Sequence, residues 1–97
     1  MFARLTMVQV KPETMDKGIQ NYKNINVPEI KSHKGFQKAY FLVNREESKI
    51  IALSFWDSEE DALKREGTEA YKQAHAYVPD LAAAPPVREG YEIVVES

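Results

Sequence analysis

Leu53–Val78, LSFWDSEEDALKREGTEAYKQAHAYV, runs a strand into an acidic helix cap, divides the helical stretch that follows at Gly67-Thr68, and places a histidine on the apolar side of its second half. The strand is rich in β-formers. Asp57-Ser58-Glu59-Glu60-Asp61 offers two overlapping capping boxes, Asp57 with Glu60 and Ser58 with Asp61, and concentrates acid at the positive end of a helix. With Thr68 as N-cap of the second helix, Tyr71, Ala74, His75 and Val78 fall at i, i+3, i+4 and i+7, while Glu69, Lys72 and Gln73 face water. A titratable ring on an inward stripe needs a partner, which makes His75 the strongest candidate for chemistry.

Working outward, Phe2–Val10 reads as a strand stopped by Lys11-Pro12. A first helix follows with the stripe Met15, Ile19, Tyr22 and Asn26, weakened by Gly18, and Pro28 is expected to break it before a turn through Ile30 to His33. Gly35 opens a strand over Phe36–Asn44, Arg45-Glu46-Glu47-Ser48 forms a polar hairpin loop, and Lys49–Trp56 is its partner. After Val78-Pro79, residues 80–86 read as loop or a ragged turn, and Val87–Glu96 as the last strand. The order βαββαβ predicts an α+β, ferredoxin-like fold: an antiparallel sheet with both helices on one face, one domain over residues 1–97.

Both phases of the central strands are apolar. Phe36, Tyr40 and Leu42 alternate with Ala39, Phe41 and Val43, and Ile51, Leu53 and Phe55 with Ile50, Ala52 and Trp56. Two helices cover only one face of a sheet, so a second subunit is expected on the open one, making a homodimer.

The 97 residues are 43% hydrophobic and 29% charged, an ordinary globular balance. The net charge of -2, from 13 basic and 15 acidic residues, argues against nucleic acid or an acidic membrane surface as partner. The absence of cysteine removes disulfides, thiolate metal sites and thiol nucleophiles. Met1–Val10 alternates too early for a signal peptide and no apolar run is long enough to span a bilayer, so a cytoplasmic location is expected. His33, in Lys31-Ser32-His33-Lys34, reads as part of a solvated basic turn, and no metal-spaced cluster is present.

Leu53-Ser54-Phe55-Trp56, then Asp57-Ser58-Glu59-Glu60-Asp61-Ala62, then Tyr71-Lys72-Gln73-Ala74-His75 and a Pro85-Pro86 turn before a terminal strand together resemble the antibiotic biosynthesis monooxygenase domain. The resemblance spans nearly the whole chain and implies a dimeric α+β barrel, two sheets packed face to face. It specifies the reaction poorly, because similar proteins include cofactor-free quinone-forming oxygenases, haem-degrading enzymes and domains without known activity. The haem-degrading members carry an asparagine early in strand one, a tryptophan in the middle helix and an axial histidine in the later helix. Here those positions read Ala3, Arg65 and His75, two of the three lost, so haem turnover is not expected and no cofactor is assigned.

The expected activity is cofactor-independent oxidation of an aromatic, phenolic small molecule in a pocket between helices and sheet. His75 would be the general base, Arg65 and Arg4 the groups that stabilise the anion, and Trp56, Tyr71, Phe41 and Ala3 the substrate-lining residues. The alternatives are a non-catalytic dimeric module that binds a small metabolite or serves a stress response, and a haem-binding protein without efficient haem degradation. In the plainest reading, His75 is a core residue satisfied by one backbone carbonyl.

Overall fold

The computed structural model describes all 97 residues, Met1–Ser97. Four strands, β1 (Phe2–Gln9), β2 (Phe36–Asn44), β3 (Lys49–Trp56) and β4 (Val87–Glu92), form one antiparallel sheet in the order β2-β3-β1-β4, with the helices on one face. This is the ferredoxin-like arrangement the element order predicts. The bounds of β2 and β3 are those read from the alternating residues. β4 is shorter than expected: the Ile93 N–H bonds the Met1 carbonyl, after which residues 94–97 have no strand beside them.

The chain stays helical where Pro28 was expected to break it. A 3-10 turn (Pro12–Thr14) leads into α1 (Met15–Asn21), a π turn (Tyr22–Asn26) and α2 (Val27–Lys31). The Val27 N–H reaches back to the Tyr22 carbonyl. That wider turn places Pro28 in the first turn of α2. Gly18 lets α1 lie close on the sheet, since a Cβ there would stand 3.3 Å from both Ile50 Cδ1 and Leu81 Cδ1.

The second helical region divides at Gly67-Thr68 as the sequence indicates. The Ser58 side chain caps α3 (Glu59–Glu66) by accepting from the Asp61 N–H, and Thr68 caps α4 (Glu69–Ala74) by accepting from the Tyr71 N–H. Asp57 does not cap; its carboxylate takes the Gln37 amide instead. α4 also ends one residue before His75, which is its C-cap, and Val78 opens a separate short helix, α5 (Val78–Leu81). The stripe expected over Tyr71–Val78 therefore spans two elements.

Strand alternation sends Phe2, Arg4, Thr6 and Val8 toward the helices and Ala3, Leu5 and Met7 to the opposite face. Beneath the helices the core is divided. One buried cluster is Phe2, Ile30, Trp56 and Ala62; the other is Val10, Met15, Ile50 and Leu81. On the opposite face no helix covers Tyr40, Leu42, Val87 and Tyr91, which remain 46–51% exposed.

Gly35 joins α2 to β2 at φ +84°, and its carbonyl accepts the Asp57 N–H. A Cβ there would lie 2.7 Å from the Asp61 Cβ. Gly35→Ala should therefore destabilise the protein by at least about 1 to 2 kcal/mol, the cost of a left-handed residue before any collision is relieved. Urea unfolding should show a lower midpoint with an unchanged slope.

Candidate functional site

The gap between the two core clusters is a cavity. Its larger part, about 60 Å3, is bounded by β1 and β3 below and by α1, the π turn and the α4–α5 junction above. A smaller part of about 30 Å3 extends under α3. Thr6, Tyr22, Ala52 and His75 line both parts, so His75 stands at the junction.

His75 is held there by the end of α4. Its Nδ1 lies 2.9 Å from the Tyr71 carbonyl oxygen, one turn back, and only a protonated Nδ1 can donate to that oxygen. Nδ1 therefore carries the proton of the neutral ring. Nε2 keeps a lone pair, makes no hydrogen bond within the chain, and is not among buried unsatisfied atoms. The Tyr71 ring stacks on the imidazole at 4.0 Å between centroids and 30° between planes.

The groups around the ring favour its neutral form. Burial is the largest cause, and the positive charges of Arg65 and Arg88 add to it. These outweigh the Tyr71 carbonyl and Glu29, which pull the other way, so the His75 pKa lies below its ordinary value. Burial also raises the Tyr22 hydroxyl pKa and pushes that of Tyr77 up to about 12, so both phenols stay protonated at neutral pH. The Tyr77 hydroxyl donates to Asn26 Oδ1, and Asn26 Nδ2 donates to the Ala74 carbonyl at 3.2 Å. This fully buried asparagine thus ties down the residues on either side of His75.

The residues singled out from the sequence are partly brought together. His75 and Phe41 line the larger cavity, with Phe41 stacked on Tyr22 at 4.2 Å, and Tyr71 lines the smaller one. Arg4 and Arg65 also reach the smaller cavity, but each gives two of its five N–H donors to a carboxylate. Arg4 Nε and Nη2 bond Glu66 at 2.6 and 2.9 Å, and Arg65 Nε and Nη2 bond Glu29 at 3.1 and 2.8 Å. Trp56 lines neither cavity. It is fully buried in the first core cluster with its Nε1 donating to Ser54 Oγ at 2.9 Å, as its bulk suits a core position better than a wall. Ala3 also lies outside the site, on the opposite face of the sheet, because a strand turns successive residues to opposite sides. His33 is not free in solvent: its Nε2 lies 2.5 Å from Glu29 Oε2.

Thr6, Tyr22, Asn26 and Arg88 belong to the site and were not singled out for it. Tyr22 and Asn26 were legible as members of the inward stripe of helix one. Arg88 becomes a site residue only through the pairing of β4 with β1, which sets it opposite Thr6. Its Nε donates to the Tyr71 hydroxyl at 3.2 Å, and it is the only formally charged residue lining the larger cavity. It makes no ion pair.

The residues present do not fit haem. Cavities of 60 and 30 Å3 lie far below the roughly 300 Å3 at which cofactor pockets begin, Ala3 is on the wrong face, and Arg65 is committed to Glu29. No group of three or more His, Cys, Asp or Glu converges to hold a metal ion. No helix is long and apolar enough to cross a membrane.

The family model for antibiotic biosynthesis monooxygenases matches residues 1–77, and the chain belongs to that family. Among solved structures, a protein of Nitrosomonas europaea assigned to the same class superposes with a TM-score of 0.83 at 16% identity, covering 98% of this chain and 100% of that one. Similar matches come from Caulobacter crescentus (TM-score 0.83, 18% identity, 97% and 90% covered) and Bordetella bronchiseptica (0.84, 11%, 97% and 97%). At these identities the likeness shows the shared fold. No functionally curated protein matches the chain significantly.

The position of His75 has a consequence for pH stability. Its folded-state pKa lies below the ordinary 6.5, so between the two values the unfolded chain binds more protons. The stability that neutral His75 supports is present above that window and is lost as pH falls through it. Between pH 7.5 and 5, the wild-type unfolding free energy should fall more steeply than that of His75→Gln; parallel curves would contradict the assignment.

Proposed function

We propose that this chain is a cofactor-independent, monooxygenase-like domain that oxidises a compact phenolic molecule. His75 Nε2 is the general base. The observation that carries this reading is the imidazole itself: proton fixed on Nδ1 by the Tyr71 carbonyl, Nε2 without a partner in the chain, the ring at the cavity junction, neutral form favoured. In the reaction, Nε2 takes the phenolic proton and Arg88 faces the negative charge that forms. The phenolate gives an electron to dioxygen, and the two radicals join to make a C–O bond para to the hydroxyl. O–O cleavage with loss of the ring hydrogen then yields a quinone and one water, both reducing equivalents coming from the substrate.

Size limits the substrate. A closed cavity that holds benzene measures roughly 150 Å3. The larger cavity is well below that, so one ring must protrude through the mouth or displace lining side chains, and a multi-ring substrate must do both. The same small volume favours a second reading, a non-catalytic module that binds a small metabolite.

Dioxygen uptake with a panel of single-ring phenols tests the first reading. His75→Ala should lower uptake at least about 100-fold, the ordinary contribution of a general base. Full uptake by the variant, or none by wild type alongside tight binding of the same phenols, would favour the binding module.

The apolar open face supports a homodimer with two sheets packed face to face. Tyr40, Leu42, Val87 and Tyr91, together with Leu5, Met7, Ile51, Leu53 and Phe55, form a sheet surface that no helix of this chain reaches. Sedimentation at micromolar concentration should give twice the mass of the 11.1 kDa chain, and Leu53→Glu should return it to monomer. A wild-type monomer at that concentration would contradict the barrel.

A further inference from the structure

Glu29 and Arg65 form a two-pronged ion pair inside the helical layer, with side chains only 8% and 9% exposed. On stability grounds such a pair is a weak choice, because an apolar pair of similar volume serves as well or better without the cost of desolvating two charges. Its surroundings offer a different reason for it. The Arg65 guanidinium carbon lies 4.8 Å from the centre of the Tyr71 ring, and Tyr71 stacks on His75 at 4.0 Å. Glu29 anchors the guanidinium from α2, so Arg65, Tyr71 and His75 are held in sequence between α3 and the end of α4. Tyr71 meets His75 twice, with its ring on the imidazole and its carbonyl oxygen on Nδ1.

We propose that the Glu29–Arg65 pair is a positioning device for His75: Arg65 clamps Tyr71, and Tyr71 fixes the orientation and tautomer of the imidazole. The inference rests on the reading of His75 as the base of this site. It assigns Arg65 a role at one remove from the substrate, distinct from direct stabilisation of an anion. The charged groups facing His75 are Glu29 from α2, Arg65 and Glu66 from α3, Arg4 from β1 and Arg88 from β4, with the phenols of Tyr22, Tyr71 and Tyr77. Arg4 and Glu66 neutralise one another. The balance at the ring is therefore set by Arg65 and Arg88 against Glu29.

Removing either partner destabilises the fold but pushes His75 in opposite directions. Arg65→Gln leaves the Glu29 carboxylate facing the ring and should raise the His75 pKa. Glu29→Gln leaves the guanidinium uncompensated and should lower it. Proton NMR titration of the His75 ring reads both without any substrate, so the result stands whether or not turnover is found.

The double variant Glu29→Leu/Arg65→Met separates positioning from stability. It should unfold near the wild-type temperature, lowered only by the lost contact between Glu29 and His33, yet lose the upfield ring-current shift that Tyr71 imposes on the His75 protons. A double variant whose His75 signals match wild type would overturn the proposal. So would single variants that leave the His75 pKa unmoved or shift it in the same direction. Should Arg65→Gln and the double variant fail to fold, Glu29→Gln alone decides: loss of the Tyr71 ring-current shift at the His75 protons supports the device, and His75 signals like those of wild type refute it.

Discussion

The helices of this protein rest on the sheet at two separate apolar clusters, and the space between the clusters is never filled. Phe2, Ile30, Trp56 and Ala62 join α2 and α3 to the sheet at one end, while Val10, Met15, Ile50 and Leu81 join α1 and α5 at the other. Ten apolar residues of the 97 are buried, and eight of them form these two clusters, which leaves a seam between them. The cavity is that seam. His75 reaches it from the C-cap of α4, its N–H still bonded to the Tyr71 carbonyl at 3.1 Å.

The electrostatics of the seam follow from pairing. Its carboxylates and two of its three arginines cancel: Glu66 with Arg4, Glu29 with Arg65. For Glu29, burial pushes the pKa up but the Arg65 guanidinium and His33 pull it down by more, so the carboxylate stays charged and the pair stays intact at neutral pH. What remains uncompensated is Arg88 at the mouth, hydrogen-bonded to the Tyr71 hydroxyl. A neutral base beside an unpaired cation is an arrangement that stabilises an anion formed in place more than the neutral acid it came from. The same arrangement disfavours protonated His75, so the Arg88 charge adds to the larger effect of burial on its pKa.

Much of the fold was legible in local chemistry. β2 and β3 follow from alternating residues, Ser58 and Thr68 from their capping positions, and the open apolar face from strands hydrophobic in both phases. The π turn was not, because an i−5 bond leaves no mark in composition, and Pro28 looks the same in a broken helix as in the first turn of a new one. The site was legible where a residue's own element sets the way it faces: His75 and Tyr71 at α4 and Phe41 on β2 all reach the cavity. It was not legible where it depends on pairing between distant segments. Which parity of β1 faces the helices decides that Thr6 lines the cavity and Ala3 does not, and β4 pairing alone makes Arg88 a site residue. Arg4 and Arg65 were recognisable as cations near the site, but their carboxylate partners lie 62 and 36 residues away in the chain.

The central claim is that His75 presents an unprotonated Nε2 to the cavity while Nδ1 carries the proton. Long-range nitrogen–proton NMR of the imidazole at pH 7 tests it most directly, since the two tautomers give distinct nitrogen shifts. The account predicts a protonated Nδ1 and an unprotonated Nε2, with the Nε2 signal moving when a single-ring phenol is added. A ring protonated on Nε2, or an Nε2 signal indifferent to phenol at saturating concentration, would contradict it.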